Sequence, residues 1–120
     1  MYLNDTLRSR CYSLSISLIG FIDSFLKDKA SYIIADQLLR SGTSIGVNLV
    51  EATASSSRLE YKKFFEISLK SANETKYWLG LLRDTNKCNR EQVNILLKET
   101  VEISNMIGSA VIKLKSKRYF

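Results

Sequence analysis

Apolar residues recur along this chain at alternating spacings of three and four, the period of helices packed along a shared seam. In the first such stretch, from about Asn4 to Lys27, the stripe runs Leu7, Cys11, Leu14, Leu18, Phe21 and Phe25. Asp5 near its start and Lys27 near its end suit the helix dipole. The second stretch begins near Ser31, which offers an N-cap, and carries Ile34, Leu38, Ser41, Ile45, Leu49 and Ala52. Its middle holds Gly42 and Gly46, each costing about 1 kcal/mol relative to alanine inside a helix. The stripe keeps its phase across them, which predicts a continuous helix lying close against a neighbour; a local break at the glycines is the alternative.

Ala54-Ser55-Ser56-Ser57 predicts a turn, since serine hydroxyls compete for local backbone hydrogen bonds. With Ser57 as N-cap, Glu60 occupies the third helical position and completes a capping box. The third helix then runs to about Asn86 with two stripes: Tyr61, Phe65, Ser68, Ala72, Thr75, Leu79 and Leu82, and beside it Phe64, Ile67, Ser71, Glu74, Trp78 and Leu81. Asn86 to Asn89 predicts the next turn, and the fourth helix carries Val93, Leu96, Thr100, Ile103, Ile107, Ala110 and Leu114. Short connections between long helices force neighbours to run antiparallel. The expected fold is all-α, an antiparallel up-down-up-down four-helix bundle occupying residues 1–120 as a single domain.

Composition agrees with that expectation. The chain has no proline and five glycines in 120 residues, so the usual punctuation of hairpins and loops is scarce. Apolar residues at 45% and charged residues at 25% are those of an ordinary folded protein. The first residues lack a basic segment followed by an apolar run, and no apolar stretch approaches the roughly 18 residues of a membrane span, so a soluble, cytoplasmic protein with no membrane association is expected. Cys11 and Cys88, isolated from one another, form neither a zinc spacing nor a disulfide framework and read as small buried hydrophobes.

Histidine is absent, which removes the commonest general base, the commonest metal ligand and every histidine-dependent triad. Glu51 and Glu74 are the carboxylates best placed for acid–base or metal chemistry, yet no Glu-x-x-His motif accompanies them. A carboxylate paired with a cation such as Arg40 explains them as well. No enzyme activity, cofactor or metal is therefore expected.

The formal charge of +6 raises the question of a phosphate-bearing partner. Lys113, Lys115, Lys117 and Arg118 form a C-terminal basic run ending in Tyr119-Phe120, an aromatic pair able to stack on bases. The same cations also complement the end of a helix dipole. Lys62, Lys63, Glu66, Lys70 and Glu74 alternate in sign at spacings that allow local pairing, which predicts a solvated face. The second stripe of the third helix offers Phe64, Trp78 and Leu81 as an oligomer interface; a more central place in its own bundle is the other reading.

Two blocks carry a family resemblance. The first runs from Gln37 through Arg40 to Ala52 and includes Ser44-Ile45, Asn48 and Glu51, like a Ser-Ile-x-x-Asn-x-x-Glu signature. The second, Phe64 to Glu74, resembles a phenylalanine and Ser-x-x-Glu pattern at Ser71 and Glu74. Together they resemble the bacterial four-helix-bundle family of 23S rRNA intervening-sequence proteins, related to accessory proteins of diversity-generating retroelements. Many relatives have proline where this chain has Gly46, so a kink there is not imposed. The resemblance implies a homo-oligomer, with pentamers known among relatives, and an RNA or DNA context. It gives Arg40, Ser44, Asn48, Glu51 and Glu74 a structural or interface role. The functional expectation is a non-enzymatic oligomeric accessory protein binding RNA or DNA through basic surface residues. The alternative is a protein-interaction scaffold that does not touch nucleic acid.

Overall fold

The computed structural model describes residues 2–25 and 28–116, with side chains from Thr6 onward. Four helices follow one another: α1 (Tyr2–Phe25), α2 (Lys29–Thr53), α3 (Arg58–Asp84) and α4 (Arg90–Ser116). Each packs on the helices before and after it, and α1 closes the circuit against α4. The result is the expected antiparallel bundle, elongated at 52 × 22 × 21 Å. The α2–α3 pair has the most extensive contact and α1–α4 the sparsest.

The helix starts are set by local acceptors. Asp28, not Ser31, caps α2: its carboxylate accepts the Ser31 N–H at 2.9 Å, so the helix begins three residues earlier than the serine suggested. Ser57 caps α3 as expected, accepting the Glu60 N–H at 3.0 Å. Glu60 reaches back to the N–H of Ser56 rather than Ser57, at 2.9 Å. Asn89 accepts the Gln92 N–H at 2.9 Å ahead of α4. Between α3 and α4, Asn86 takes a left-handed conformation (φ 56°), which asparagine tolerates better than most side chains.

The core follows the stripes. All six apolar positions read on α1 are buried, as are Phe65, Ala72, Leu79 and Leu82 on α3 and Val93, Ile103 and Ile107 on α4. Val111 takes the buried place near the end of α4, and Ala110 and Leu114 lie half-buried beside it. Cys11 is buried, while Cys88, between α3 and α4, is only half-buried against the edge of the core.

Through Gly42 and Gly46 α2 is continuous. A Cβ on Gly42 would collide with Leu18, and one on Gly46 would press on Cys11 at 3.2 Å, so α1 lies against α2 where side chains are missing. On its other side α2 meets α3 through a seam of hydroxyls. Ser41 and Thr75 are 3.0 Å apart, Ser44 and Ser71 2.9 Å, and Ser68 donates to the Ile45 carbonyl at 2.8 Å. These small side chains let the helices approach closely, and each hydroxyl finds a partner, which buried polar groups require.

Candidate interaction surfaces

The family-like residues of α2 and α3 meet along one groove. The seam fixes the register: Ser41 lies opposite Thr75 and Ser44 opposite Ser71. Asn48, one turn along α2, donates to the Ser44 carbonyl at 2.8 Å and to its hydroxyl at 2.9 Å. Ser44, Asn48 and Ser71 therefore form one hydrogen-bonded set on the outer rim of the α2–α3 contact, a structural use of three signature positions. Arg40 and Glu51 are exposed on the same side of α2, one turn from that set in either direction.

On α3, Phe64, Trp78 and Leu81 are half-buried, and Phe64 and Trp78 pack against the core cluster. Trp78 donates its indole N–H to the Glu74 carboxylate at 3.2 Å and meets Tyr77 edge-on, with ring centroids 5.2 Å apart. The bundle itself buries part of Phe64 and Trp78, so what each of the two leaves to solvent is a rim, not a whole aromatic face.

The two carboxylates weighed for chemistry are kept apart. In the observed register Glu51 stands level with Phe64, some ten residues from Glu74, which is about 15 Å along α3. Both are exposed. Among the described residues no three metal-donor side chains converge, and no helix is long and apolar enough to cross a membrane.

Basic residues gather at one end. The end of the bundle where α3 begins and α4 finishes carries Arg58, Lys62 and Lys63 on α3 and Lys113 and Lys115 on α4. Glu66, expected to pair within α3, instead reaches across to Lys115 at 3.9 Å, because it lies on the α4 side of its helix. Glu74 is turned to Trp78. The expected local pairing therefore does not form, and Arg58, Lys62, Lys63, Lys70 and Lys113 have no ion pair among the described residues. Lys117 and Arg118 lie outside the described residues.

The opposite end is balanced: Asp28 pairs with Lys87 at 3.0 Å and Asp84 with Arg83 at 2.8 Å, with Asp23, Asp36 and Glu91 and the cations Lys29 and Arg90 nearby in the fold. Hydrogen bonds from Ser31 and then Lys87 hold the Asp28 carboxyl at about 2, well below the usual carboxylate range.

One interaction escaped the sequence reading. Arg10 of α1 donates through Nε and a terminal nitrogen to both oxygens of Glu99 at 3.0 and 2.8 Å, and to Glu102 at 2.7 Å, fastening α1 to α4. The signal was available only in combination: an arginine on α1, and two glutamates one turn apart on the helix that packs beside it.

Among known protein families, the description "23S rRNA-intervening sequence protein" matches residues 7–109. A solved crystal structure from Bacteroides thetaiotaomicron, described as a protein of unknown function from the S23 ribosomal protein family, is similar with a TM-score of 0.84 and 30% identity, covering 91% of this chain and 97% of that one. No curated protein matches the chain.

Proposed function

The chain belongs to the 23S rRNA-intervening sequence protein family, and from that premise we propose that it is a non-enzymatic, homo-oligomeric accessory protein of the cytoplasm that binds RNA or DNA. The observation that carries the reading is the cationic end: Arg58, Lys62, Lys63 and Lys113, with no ion pair among the described residues, beside Lys115, whose one carboxylate neighbour is Glu66 at 3.9 Å, continued in the sequence by Lys117 and Arg118. Cations with no carboxylate partner are available to phosphates, and their contacts release counterions without reading base sequence. Cyclic assembly multiplies such an end and raises avidity without new contacts.

The test is binding of labelled RNA and DNA across a salt series. Affinity falls steeply with salt if the reading holds. No detectable binding at low salt overturns it.

The second reading, a protein-interaction scaffold, draws on the α2–α3 groove, where Ser44, Asn48 and Ser71 fix one set of positions and leave Arg40, Glu51, Glu74 and Trp78 along its rim. If Phe64, Trp78 and Leu81 form the subunit contact, Trp78→Ala lowers the assembly mass in light scattering. A folded variant with unchanged mass removes Trp78 from that contact.

A further inference from the structure

The basic surface continues from the cationic end along the outside of the bundle. On the outward face of α3, Lys63, Lys70 and Tyr77 follow one another at intervals of seven residues, which returns to nearly the same side of a helix and advances about 10 Å each time. All three are exposed, as is Asn73 between them. α4 lies alongside in the register set by Glu66 with Lys115 and by Lys76, whose ammonium donates to the Ser104 hydroxyl at 3.3 Å. Exposed Lys98 of α4, six residues before Ser104, extends the line by about 9 Å away from the cationic end. Nothing lies within 4 Å of a Cβ added at Gly80 or Gly108, one turn from Lys76 and from Ser104, so the surface is low on either side of that contact. The carboxylates near this line are engaged elsewhere: Glu66 faces Lys115, Glu74 accepts the Trp78 indole N–H, and Glu99 and Glu102 are held by Arg10. Lys63, Lys70 and Lys98 have no ion pair among the described residues.

Tyr77 indicates which kind of polyanion fits. It is 65% exposed, and its ring is braced by Trp78, which is itself packed on the core and tied to Glu74. An aromatic ring left in water but steadied by an anchored neighbour offers a face on which a base can stack. A duplex keeps its bases stacked inside and presents phosphates to such a surface. An acidic peptide uses the lysines alone. A single strand presents phosphates and free base faces together, which is the combination that lysines beside an exposed ring accept.

From these observations we infer that the outer α3–α4 face is a track for an unpaired polynucleotide strand, which runs in from the cationic end, lays its phosphates along Lys63, Lys70 and Lys98 and stacks a base on Tyr77. The inference rests on the nucleic-acid part of the function proposed above and names its ligand as single-stranded.

The experiment titrates the full chain against labelled single-stranded RNA, single-stranded DNA of the same sequence, and the blunt DNA duplex of the same length, with circular dichroism to follow folding. The tighter-binding of the two single strands is the track's ligand, and it is expected to bind about tenfold more tightly than the duplex. Tyr77→Ala weakens single-strand binding about tenfold and leaves duplex binding and the salt slope unchanged. Tyr77→Phe binds like wild type, because stacking needs the ring and not the hydroxyl. Lys70→Ala reduces the magnitude of the single-strand salt slope by about 0.7, the loss of one phosphate contact. Emission from Trp78, the chain's one tryptophan, changes as the single strand saturates the protein. Duplex binding as tight as single-strand binding, or wild-type affinity in Tyr77→Ala, overturns the track; the cationic end stands as the phosphate site if Lys113→Ala with Lys115→Ala still weakens binding. Polyglutamate that displaces the strand equally well from wild type and Tyr77→Ala gives the face to polyanions in general and likewise overturns the inference. No binding of any polynucleotide at low salt overturns both the track and the proposed function. If Tyr77→Ala loses helicity, the wild-type titration decides, and Trp78 emission unchanged at saturation overturns the track.

Discussion

Ser68 packs fully buried against α2, with its hydroxyl on the Ile45 carbonyl at 2.8 Å. That carbonyl already serves its own helix, so removing the hydroxyl costs only the net worth of one hydrogen bond. Ser68→Ala is expected to lower stability by about 1 kcal/mol in urea unfolding. Ser68→Leu forces the α2–α3 seam apart and costs more, about 1–3 kcal/mol from overpacking. Asp28 is tested by pH. Its carboxyl is held near 2 in the folded protein, below the value of about 3.9 expected unfolded, so its contribution is present above pH 4 and is lost as pH falls from 4 towards 2. Asp28→Asn keeps an acceptor for Ser31 but loses the Lys87 ammonium. The melting temperature of the variant should lie below wild type at pH 7, and the two should converge near pH 2. Ser31 resembled the cap because serine is a favoured cap residue; the aspartate three positions earlier won because its ionised oxygen is the stronger acceptor and also finds Lys87. Cys11 behaves as the sequence suggested, with burial pushing its thiol up to about 12, so it stays protonated at neutral pH.

At the scale of the helix, the glycines divide by what stands beside them. A methyl on Gly42 meets Leu18, itself fully buried, whereas nothing lies within 4 Å of one on Gly108. Gly108→Ala should therefore stabilise the protein by about 0.5–1 kcal/mol through helix propensity. Gly42→Ala gains the same propensity but displaces a core leucine, and the expected balance is a loss of about 1–2 kcal/mol. Thermal unfolding of the two variants gives opposite signs if the α1–α2 approach is as close as described. Helix positions and buried stripes were legible in the sequence because periodicity reports which face must leave water. The capping of α3 was legible because Ser57 and Glu60 act within one turn. What periodicity does not carry is the partner of a polar side chain: Glu66 stands correctly spaced for Lys62 and Lys70 and yet reaches Lys115 on another helix. The Arg10 pairing with Glu99 and Glu102 was hidden for the same reason, since its members are separated by most of the chain.

Across the whole molecule, charge is distributed by end. Basic residues outnumber acidic ones where α3 starts and α4 finishes, while around the α1–α2 and α3–α4 turns Asp23, Asp28, Asp36, Asp84 and Glu91 are balanced by Lys29, Arg83, Lys87 and Arg90. If the cationic end holds phosphates, Lys113→Ala with Lys115→Ala should weaken RNA binding uniformly across sequences and reduce the magnitude of the salt slope by about 1–2. Replacing Lys29 and Arg90 at the other end should leave the slope unchanged. The basic run at the C-terminus was visible in the sequence, but its continuation by Arg58, Lys62 and Lys63 required the antiparallel fold, which brings residues some fifty positions apart to the same end.

The unequal packing of the four helices bears on how the chain folds. α1–α2, α2–α3 and α3–α4 join neighbours in sequence, so their loops close cheaply, while α1 must find α4 across most of the chain. Formation of the seam-bonded α2–α3 hairpin is expected early and the docking of α1 onto α4 late. The Arg10 pairing with Glu99 and Glu102 would then be absent from the transition state. Arg10→Ala should accelerate unfolding severalfold and leave the refolding rate nearly unchanged in stopped-flow denaturant series. The bond that closes the bundle is in this sense a brake on its opening and not a guide to its assembly.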